Sequence, residues 1–193
     1  MPSASLIKEF EQLVGKENVF SSEADRQSYA YDAAVFKPMI PSLVVRPTEV
    51  EQLGQVVKRC YEEGIPMTVR GSGTNLTGGT IPDCSDTIVI LTTGLNKILE
   101  INTEDLYATV QPGVITAKFA AAVAAKGLFY PPDPGSMSVY TIGGNVAESS
   151  GGLRGLKYGT TKDYVMGMEV FANTGDLVKT GSSTVKCATG YRS

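Results

Sequence analysis

Apolar residues near the start of the chain recur at the spacing of a helix. Leu6, Phe10 and Val14 lie four positions apart, and Gly15 follows them directly. Apolar side chains at this spacing share one face of a helix, and glycine commonly ends one. The pattern therefore predicts a helix over residues 5–14.

The next segments alternate between strand-like runs and one helical stripe. Residues 43–46, 65–69 and 87–91 are short runs rich in apolar and β-branched residues, which predicts three strands, the second of them buried. A capping box at residues 48–51 starts a helix that Gly64 ends. The apolar stripe of that helix comprises Val50, Leu53, Val57 and Cys60. Strand, helix and strand in this order predict a small α/β lobe.

The second half of the chain is patterned mainly for hairpins. Residues 98–101 and 107–110 predict two strands joined by a turn, and residues 117–126 predict a helix. Residues 165–172 and 177–180 predict a second hairpin.

The change of pattern near residues 93–97 divides the chain into two predicted lobes. Residues 1–95 form the first lobe and residues 96–193 form the second. A chain of 193 residues that is 42% hydrophobic is sufficient for one sizeable domain or two small lobes.

Composition excludes several classes of function. The net charge is −3 and no long basic run occurs, which argues against nucleic-acid binding. Cys60, Cys84 and Cys187 are widely spaced and match no zinc or iron–sulfur pattern, which favours a reducing compartment. The sequence has no histidine, so imidazole is neither base nor metal ligand here. No secretory signal or transmembrane segment is recognisable, and a cytoplasmic location is predicted.

A glycine-rich loop follows the strand predicted at residues 65–69. It reads Arg-Gly-Ser-Gly-Thr-Asn-Leu-Thr-Gly-Gly at residues 70–79. Successive backbone N–H groups in such a loop can converge into an anion-binding nest, for which a pyrophosphate is a natural guest. Leu76 stands where a dinucleotide-binding turn needs its third glycine, and the loop has no P-loop lysine. An ordinary ordered turn is the alternative.

A second glycine cluster strengthens the case for a cofactor. Of the 21 glycines, four lie in residues 70–79 and seven in residues 135–159, which is more than turns alone explain. Two separated glycine-rich walls suit a long, flat, phosphate-bearing cofactor that is held against main chain.

These motifs, taken in order, resemble the FAD-binding domain of the vanillyl-alcohol oxidase/p-cresol methylhydroxylase (PCMH) flavoproteins. Within them, the chain is similar to the glycolate oxidase D-subunit and D-lactate dehydrogenase group. The resemblance runs from about residue 20 to Tyr191. The segments that carry it are residues 41–47, 70–79, 111–113, 130–136, 141–148 and 151–159.

The resemblance implies an α+β fold: a two-lobed, PCMH-type FAD-binding domain with a small α/β lobe and a larger α+β lobe. FAD is the implied cofactor, and its pyrophosphate is assigned to the first loop. Thr74 stands where some members attach FAD to a histidine, so noncovalent FAD is expected. The cofactor-binding residues expected here are Arg70, Gly71, Ser72, Gly73, Thr74, Asn75, Gly78 and Gly79. Arg70 could pair with phosphate or hold the loop to a neighbouring carboxylate, and both interpretations stay open.

The second wall is expected to contact the rest of the flavin. Its candidate residues are Pro132, Gly135, Ser136, Thr141, Ile142, Gly143, Gly144, Asn145, Gly151, Gly152, Tyr158 and Gly159. Residues 141–145 are expected to open a helix beside the cofactor, with tight packing as the alternative for its glycines. Asp133 lies between prolines and is read as a turn former rather than a catalytic acid. Tyr158 either hydrogen-bonds the cofactor or packs.

The activity that the resemblance implies is oxidation of a small 2-hydroxy acid, of the glycolate or D-lactate type, by hydride transfer to flavin. No catalytic residue is assigned. Ser149 departs from the family, where asparagine is frequent, and this puts one side-chain contact in doubt. An iron–sulfur or second flavin subunit is the implied partner, which would place the protein in the cytoplasm or peripherally at the inner membrane.

The chain ends where the family normally continues, and no segment matching its cap domain is present. A natural truncation, one half of a split gene and an engineered fragment are all consistent with this ending. Little 2-hydroxy-acid dehydrogenase activity and weak FAD binding are expected of the chain alone. A non-catalytic flavin-binding module is one alternative. A second alternative is a flavin reductase that resembles the cell-wall precursor enzyme or the flavin subunit of a molybdenum hydroxylase. Residues 130–136 and 151–159 favour the 2-hydroxy-acid group over that alternative.

Overall fold

A computed structural model describes residues 2–135 and 138–182. It combines a mainly parallel sheet with two antiparallel hairpins and several helices, an α+β fold. The helices and strands, in chain order, are α1 (Ala4–Val14), β1 (Val19–Phe20), α2 (Glu23–Gln27), β2 (Leu43–Val45), α3 (Val50–Glu62), β3 (Met67–Arg70), β4 (Ile88–Leu91), β5 (Ile98–Asn102), β6 (Tyr107–Val110), α4 (Thr116–Ala124), α5 (Ile142–Glu148), α6 (Gly155–Tyr158), β7 (Gly167–Phe171) and β8 (Leu177–Gly181). Short 3-10 turns cover Lys16–Asn18, Thr92–Gly94 and Thr161–Tyr164.

The first sheet has the strand order β1-β2-β4-β3. Strands β2, β4 and β3 are parallel, and β1 pairs antiparallel with β2. All four residues of β4 are buried, as expected for a central strand. The strand predicted at residues 65–69 is present as β3, but its predicted burial was wrong, because β3 lies at the sheet edge and Val69 is 56% exposed. Sequence alone carries no information on which strand becomes the edge.

Helices α1 and α3 cover one face of this sheet. Phe10 of α1 and Cys60 of α3 are fully buried against Ile88 and Ile90 of β4. The apolar spacing of both helices matches their buried faces, so the predicted helices are confirmed. The predicted cap of α3 was one residue early, because the N-cap is Glu49 and the Gln52 side chain accepts from its N–H at 3.1 Å.

The second half of the chain has its own apolar cluster. Val114, Phe119, Val123 and Ile142 are buried together, and the β5–β6 hairpin packs against them. The β7–β8 hairpin instead reaches α3, where Phe171 lies so close to Gly54 that a Cβ there would be 2.6 Å from its ring. The division into lobes at residues 1–95 and 96–193 stays a prediction. None of the helices within residues 2–135 and 138–182 is both long and apolar enough to cross a membrane.

Candidate cofactor site

The first glycine loop leaves the sheet at the carboxyl end of β3. Ligands of parallel sheets commonly bind at this edge. Among the described residues, the backbone N–H groups of Ser72, Gly73 and Thr74 have no hydrogen-bond partner, although all three residues are half-buried. Unpaired donors in a half-buried loop are a feature that an anionic ligand can satisfy.

Asn75 organises the distal part of this loop from within. Its Oδ1 accepts from the backbone N–H groups of Thr77 at 3.2 Å and Gly79 at 3.3 Å. Its Nδ2 donates to the Thr80 hydroxyl at 3.1 Å, and the Thr77 hydroxyl lies 3.0 Å from its Oδ1, an alternative acceptor to Glu148 for the one Thr77 hydroxyl proton. The Asn75 side chain is therefore occupied by the loop itself.

Arg70 is buried beneath the loop, with 6% of its surface exposed. Its Nη1 donates to the Tyr31 carbonyl at 2.7 Å and to the Thr80 hydroxyl at 3.3 Å, and the guanidinium lies 5.7 Å from the Tyr29 ring centre. Burial lowers the pKa of Arg70, and the nearby Asp32 carboxylate opposes that shift. These contacts favour the interpretation in which Arg70 holds the loop in place.

Helix α5 begins next to the first loop. The helix start predicted at residues 141–145 is confirmed, and its place beside the cofactor stays a prediction. Thr141 is its N-cap, and the Thr141 hydroxyl accepts from the Gly144 N–H at 3.3 Å. Gly143 serves tight packing, because its N–H donates to the Pro112 carbonyl at 2.8 Å and a Cβ would lie 2.7 Å from the Pro112 ring. Asn145 is buried and donates to the Thr116 hydroxyl at 2.8 Å, so its side chain ties α5 to α4. Ile142 joins the apolar cluster.

Three contacts join the first loop to α5 and the segment before it. The Ser72 hydroxyl donates to the Val139 carbonyl, and Gly71 lies against the Thr141 hydroxyl. Farther along, the Thr77 hydroxyl donates to Glu148 Oε1 at 2.9 Å. The loop therefore runs along α5 from its first turn to its last, which brings the two glycine-rich regions together.

Outside α5, the second wall consists of residues 130–135 and 151–159, and these two segments approach each other closely through their backbones. The Asp133 N–H donates to the Gly151 carbonyl at 3.2 Å, and Asp133 and Gly152 form a parallel bridge. Gly152 has φ +89°, and any Cβ there would overlap the Asp133 carbonyl. The Asp133 carboxylate pairs with Arg154 Nε at 3.4 Å. Asp133 thus joins two segments through a bridge, a different role from the turn former that was predicted.

The remaining predicted residues of this wall differ in exposure. Pro132 is buried, Gly135 is exposed, and Ser136 lies outside the described residues. Tyr158 is 39% exposed, and its ring packs edge-on against Phe129 with centres 5.9 Å apart. Gly159 ends α6 with φ +84°. No hydrogen bond within the described residues links residues 151–159 directly to residues 70–80.

Several residues at this site carried no signal in the sequence. Asp32 and Thr80 contact the first loop from outside the glycine motif. Leu153 and Leu156 are 93% and 104% exposed beside the second wall, which is unusual for leucine. For the two leucines, the sequence offers only an indirect signal. Both stand in the glycine-rich segment 151–159, where no helical or strand spacing assigns them to a buried face.

A groove of about 400 Å³ lies between α1 and α3 and contains no residue of the glycine motifs. Its lining residues are Glu9, Phe10, Gln12, Leu13, Gln55, Lys58, Arg59 and Glu62.

Comparison with known proteins defines the class. A family described as FAD binding domain matches residues 41–181, and the chain belongs to that family. The chain is 49% identical over 180 residues to the glycolate oxidase subunit GlcD of Bacillus subtilis (strain 168), covering 93% of this chain and 38% of that protein. It is 36% identical over 186 residues to D-lactate dehydrogenase of Anaerostipes hadrus, covering 96% of this chain and 39% of that protein.

The fold agrees with this assignment. The structure of p-cresol methylhydroxylase with substrate bound superposes with a TM-score of 0.80 at 27% identity, covering 92% of this chain and 35% of that chain. The predicted resemblance and the PCMH-type fold are thus confirmed. The chain spans about two fifths of the length of the curated relatives that it matches, at 38% and 39%.

The residues present fit FAD, the cofactor of this family. The unpaired N–H groups at residues 72–74 suit a pyrophosphate, and the space beside Gly144 is open apart from the Thr141 hydroxyl at 3.4 Å. The exposed leucines of the second wall offer apolar surface of the kind that a flavin ring system covers. Both chemical parts of the cofactor therefore have matching surfaces on this chain.

Proposed function

We propose that this chain is the FAD-binding part of an oxidoreductase that oxidises a small 2-hydroxy acid. The observation that carries the proposal is the first loop itself, in which the N–H groups of residues 72–74 have no partner among the described residues and whose Thr77 hydroxyl contacts Glu148 at the end of α5. The names of the relatives support the substrate class, since they include a glycolate oxidase subunit and a D-lactate dehydrogenase. Bound FAD would supply the acceptor for a hydride from the substrate α-carbon.

The chain's own residues hold and orient the cofactor. Backbone N–H groups of Ser72, Gly73 and Thr74 bind the pyrophosphate, and Gly71, Gly78 and Gly79 shape the loop around them. Gly144 and Thr141 approach the cofactor from α5, and Gly151 and Gly152 approach it from the second wall. Asn75, Gly143 and Asn145 act by fixing the backbone, because their polar groups or packing surfaces are already engaged, and Arg70 does so through its Nη1.

The attachment of FAD is noncovalent in this proposal. Position 74 is a threonine, so the histidine linkage that some family members make in the first loop cannot form at this point. No residue of the chain is assigned as the base that takes the substrate hydroxyl proton. A partner subunit is proposed because the Bacillus relative is named as a subunit.

The cofactor is tested by acid release. Protein reconstituted with a mixture of FAD and FMN, then desalted, is precipitated with acid, and the released flavin is separated against standards. We expect FAD in the supernatant and no flavin in the pellet. Retention of FMN instead, or of flavin in the precipitate, would contradict a noncovalent FAD site.

The substrate class is tested with the chain alone and with a longer protein in which a relative's remaining segments are joined to it. Glycolate and D-lactate are offered with FAD and an artificial electron acceptor. We expect turnover in the longer protein and little in this chain, because the chain spans only about two fifths of the relatives' length and a site that is not fully covered does not exclude water from the reacting centre. Bound FAD without turnover of any 2-hydroxy acid in the longer protein would favour a non-catalytic flavin module.

A further inference from the structure

The hydroxyl of Thr80 is a three-way junction at the end of the first loop. It accepts from Arg70 Nη1 at 3.3 Å and from Asn75 Nδ2 at 3.1 Å, and it donates to Asp32 Oδ2 at 3.3 Å. A hydroxyl group has one proton and two lone pairs. All three are used, so every hydrogen-bonding position of this side chain is satisfied inside the protein.

Each partner of Thr80 belongs to a different part of the site. Arg70 ends strand β3, whereas Asn75 gathers the N–H groups of Thr77 and Gly79 in the distal loop. Asp32 belongs to an earlier segment and fixes it locally, because its Oδ1 accepts from the Ala34 N–H at 2.8 Å. One hydroxyl therefore connects Arg70 at the start of the loop, Asn75 in its middle and Asp32 in the segment outside it.

The earlier segment, residues 29–36, packs against the outside of the loop along its length. Arg70 donates to the Tyr31 carbonyl at 2.7 Å at one end. At the other end, the Phe36 ring lies 2.7 Å from where a Cβ of Gly78 would be. Thr80 and Asp32 sit between these two contacts and connect the segment to the loop through side chains.

We propose that Thr80 is a positioning residue that sets the shape of the phosphate loop, and that Arg70 acts through this junction rather than by contacting phosphate. The cofactor part of this inference rests on the proposed function. Arg70 Nη1 donates to the Tyr31 carbonyl and the Thr80 hydroxyl, and Nη2 lies beneath Gly73, where a Cβ would overlap it. Arg70 is therefore placed to support the backbone whose N–H groups are left for the cofactor.

The central test compares Thr80→Val with Thr80→Ser in the full chain. Valine keeps the shape and removes all three hydrogen bonds, whereas serine keeps the hydroxyl. Thr109→Val is the matched control, since Thr109 is an exposed threonine on β6. We measure amide hydrogen exchange of residues 29–36 and 71–80 in the flavin-free protein, together with FAD affinity from the quenching of flavin fluorescence.

We expect Thr80→Val to raise exchange about tenfold in both segments and to weaken FAD binding by about tenfold, because buried hydrogen-bonding partners are left unpaired. Thr80→Ser and Thr109→Val should stay within about twofold of the unaltered protein. Unchanged exchange in residues 29–36, or a serine variant as impaired as valine, overturns the proposal. If the unaltered protein binds no FAD, the proposed function fails while the exchange data still decide the role of Thr80.

Asp32→Asn distinguishes a positioning role of Arg70 from direct contact between Arg70 and phosphate. Asparagine keeps the size and an acceptor oxygen but removes the charge opposed to the guanidinium. A positioning role predicts FAD binding about tenfold weaker, with exchange in the β5–β6 hairpin unchanged as a check on the fold. Stronger FAD binding, as expected if the released cation contacted phosphate directly, would overturn the assignment of Arg70.

Discussion

The first loop and the second wall present glycine-rich backbone to the same site, but they are stabilised in different ways. In the first loop, side chains of Arg70, Asn75 and Thr80 hydrogen-bond to one another or to backbone. In the second wall, the Asp133 N–H bonds directly to the Gly151 carbonyl, and Gly152 touches the Asp133 main chain. The first can be weakened by deleting polar atoms, whereas the second is best disrupted by adding a Cβ.

The two regions also differ in how far their side chains are already engaged or covered by the protein itself. In the first loop, Arg70 Nη1 and the Asn75 amide are already engaged by the protein, although Leu76 is 75% exposed. The second wall leaves two leucines, Leu153 and Leu156, almost fully exposed. Since large apolar side chains seldom stand free, this surface is the part that binding should change most.

The largest effect is expected from Gly152→Ala. The φ of +89° is unfavourable for alanine, and its Cβ would overlap the Asp133 carbonyl, so the segments must separate. Positive φ and overpacking together cost about 2–4 kcal/mol. Thermal unfolding measures this as a fall in Tm of several degrees or more.

The matched control for Gly152 is Gly155→Ala in α6. No atom lies within 4 Å of a Cβ at Gly155, and alanine favours helix by about 0.5–1 kcal/mol. Its Tm should therefore rise slightly or stay unchanged. Equal stability of the two variants would mean that the Asp133–Gly152 approach does not hold the second wall.

Gly73→Ala should be the most damaging small change in the first loop. Gly73 has φ +69°, and a Cβ there would run into the Arg70 guanidinium. We expect both FAD binding and stability to fall, stability by about 1–3 kcal/mol. Gly79→Ala is the control, since its nearest neighbour would be the Thr77 hydroxyl at 3.3 Å. A Gly73→Ala protein with full stability and weakened FAD binding would show that the added Cβ disturbs the cofactor and not Arg70.

The sequence predicted those parts of the fold and site that depend on local pattern. The stripe of α3 and the start of α5 at Thr141 follow from residues near one another in the chain. It could not predict the junction at Thr80, because Asp32 lies 48 positions away and neither residue stands in a motif. The edge position of β3 was missed for the same reason, since strand order is set by tertiary pairing.

A smaller effect is expected when the side-chain contacts of the second wall are removed by Arg154→Gln. Arg154 pairs with Asp133 at 3.4 Å and lies 5.2 Å from the Phe129 ring centre, but its side chain is 43% exposed. Exposed pairs and cation–π contacts each contribute about 0.2–1 kcal/mol. We expect Tm to fall by only a few degrees, and less at high salt, because salt screens the ion pair. A loss as large as that of Gly152→Ala would show that side chains, not backbone, hold this wall.

The smallest effect, and the one opposite in sign, is expected at Ser149. This residue caps α5 in the left-handed conformation, with φ +47° and ψ +47°. Asparagine adopts that conformation more readily than serine, which gives a physical reason for the asparagine frequent at this place in the family. Ser149→Asn should raise Tm slightly, by the equivalent of a few tenths of a kcal/mol.

The Ser149 hydroxyl also hydrogen-bonds the Thr160 hydroxyl at 3.0 Å, so the backbone and side-chain contributions need separating. Ser149→Ala removes that bond and leaves a residue ill-suited to positive φ, so its Tm should fall by the equivalent of about 1 kcal/mol. Ser149→Gly removes the same bond but relieves the backbone, and it should lie between the alanine variant and the unaltered protein. If glycine and alanine prove equally destabilising, the Thr160 contact rather than the left-handed cap dominates, and the expected gain from asparagine disappears with it.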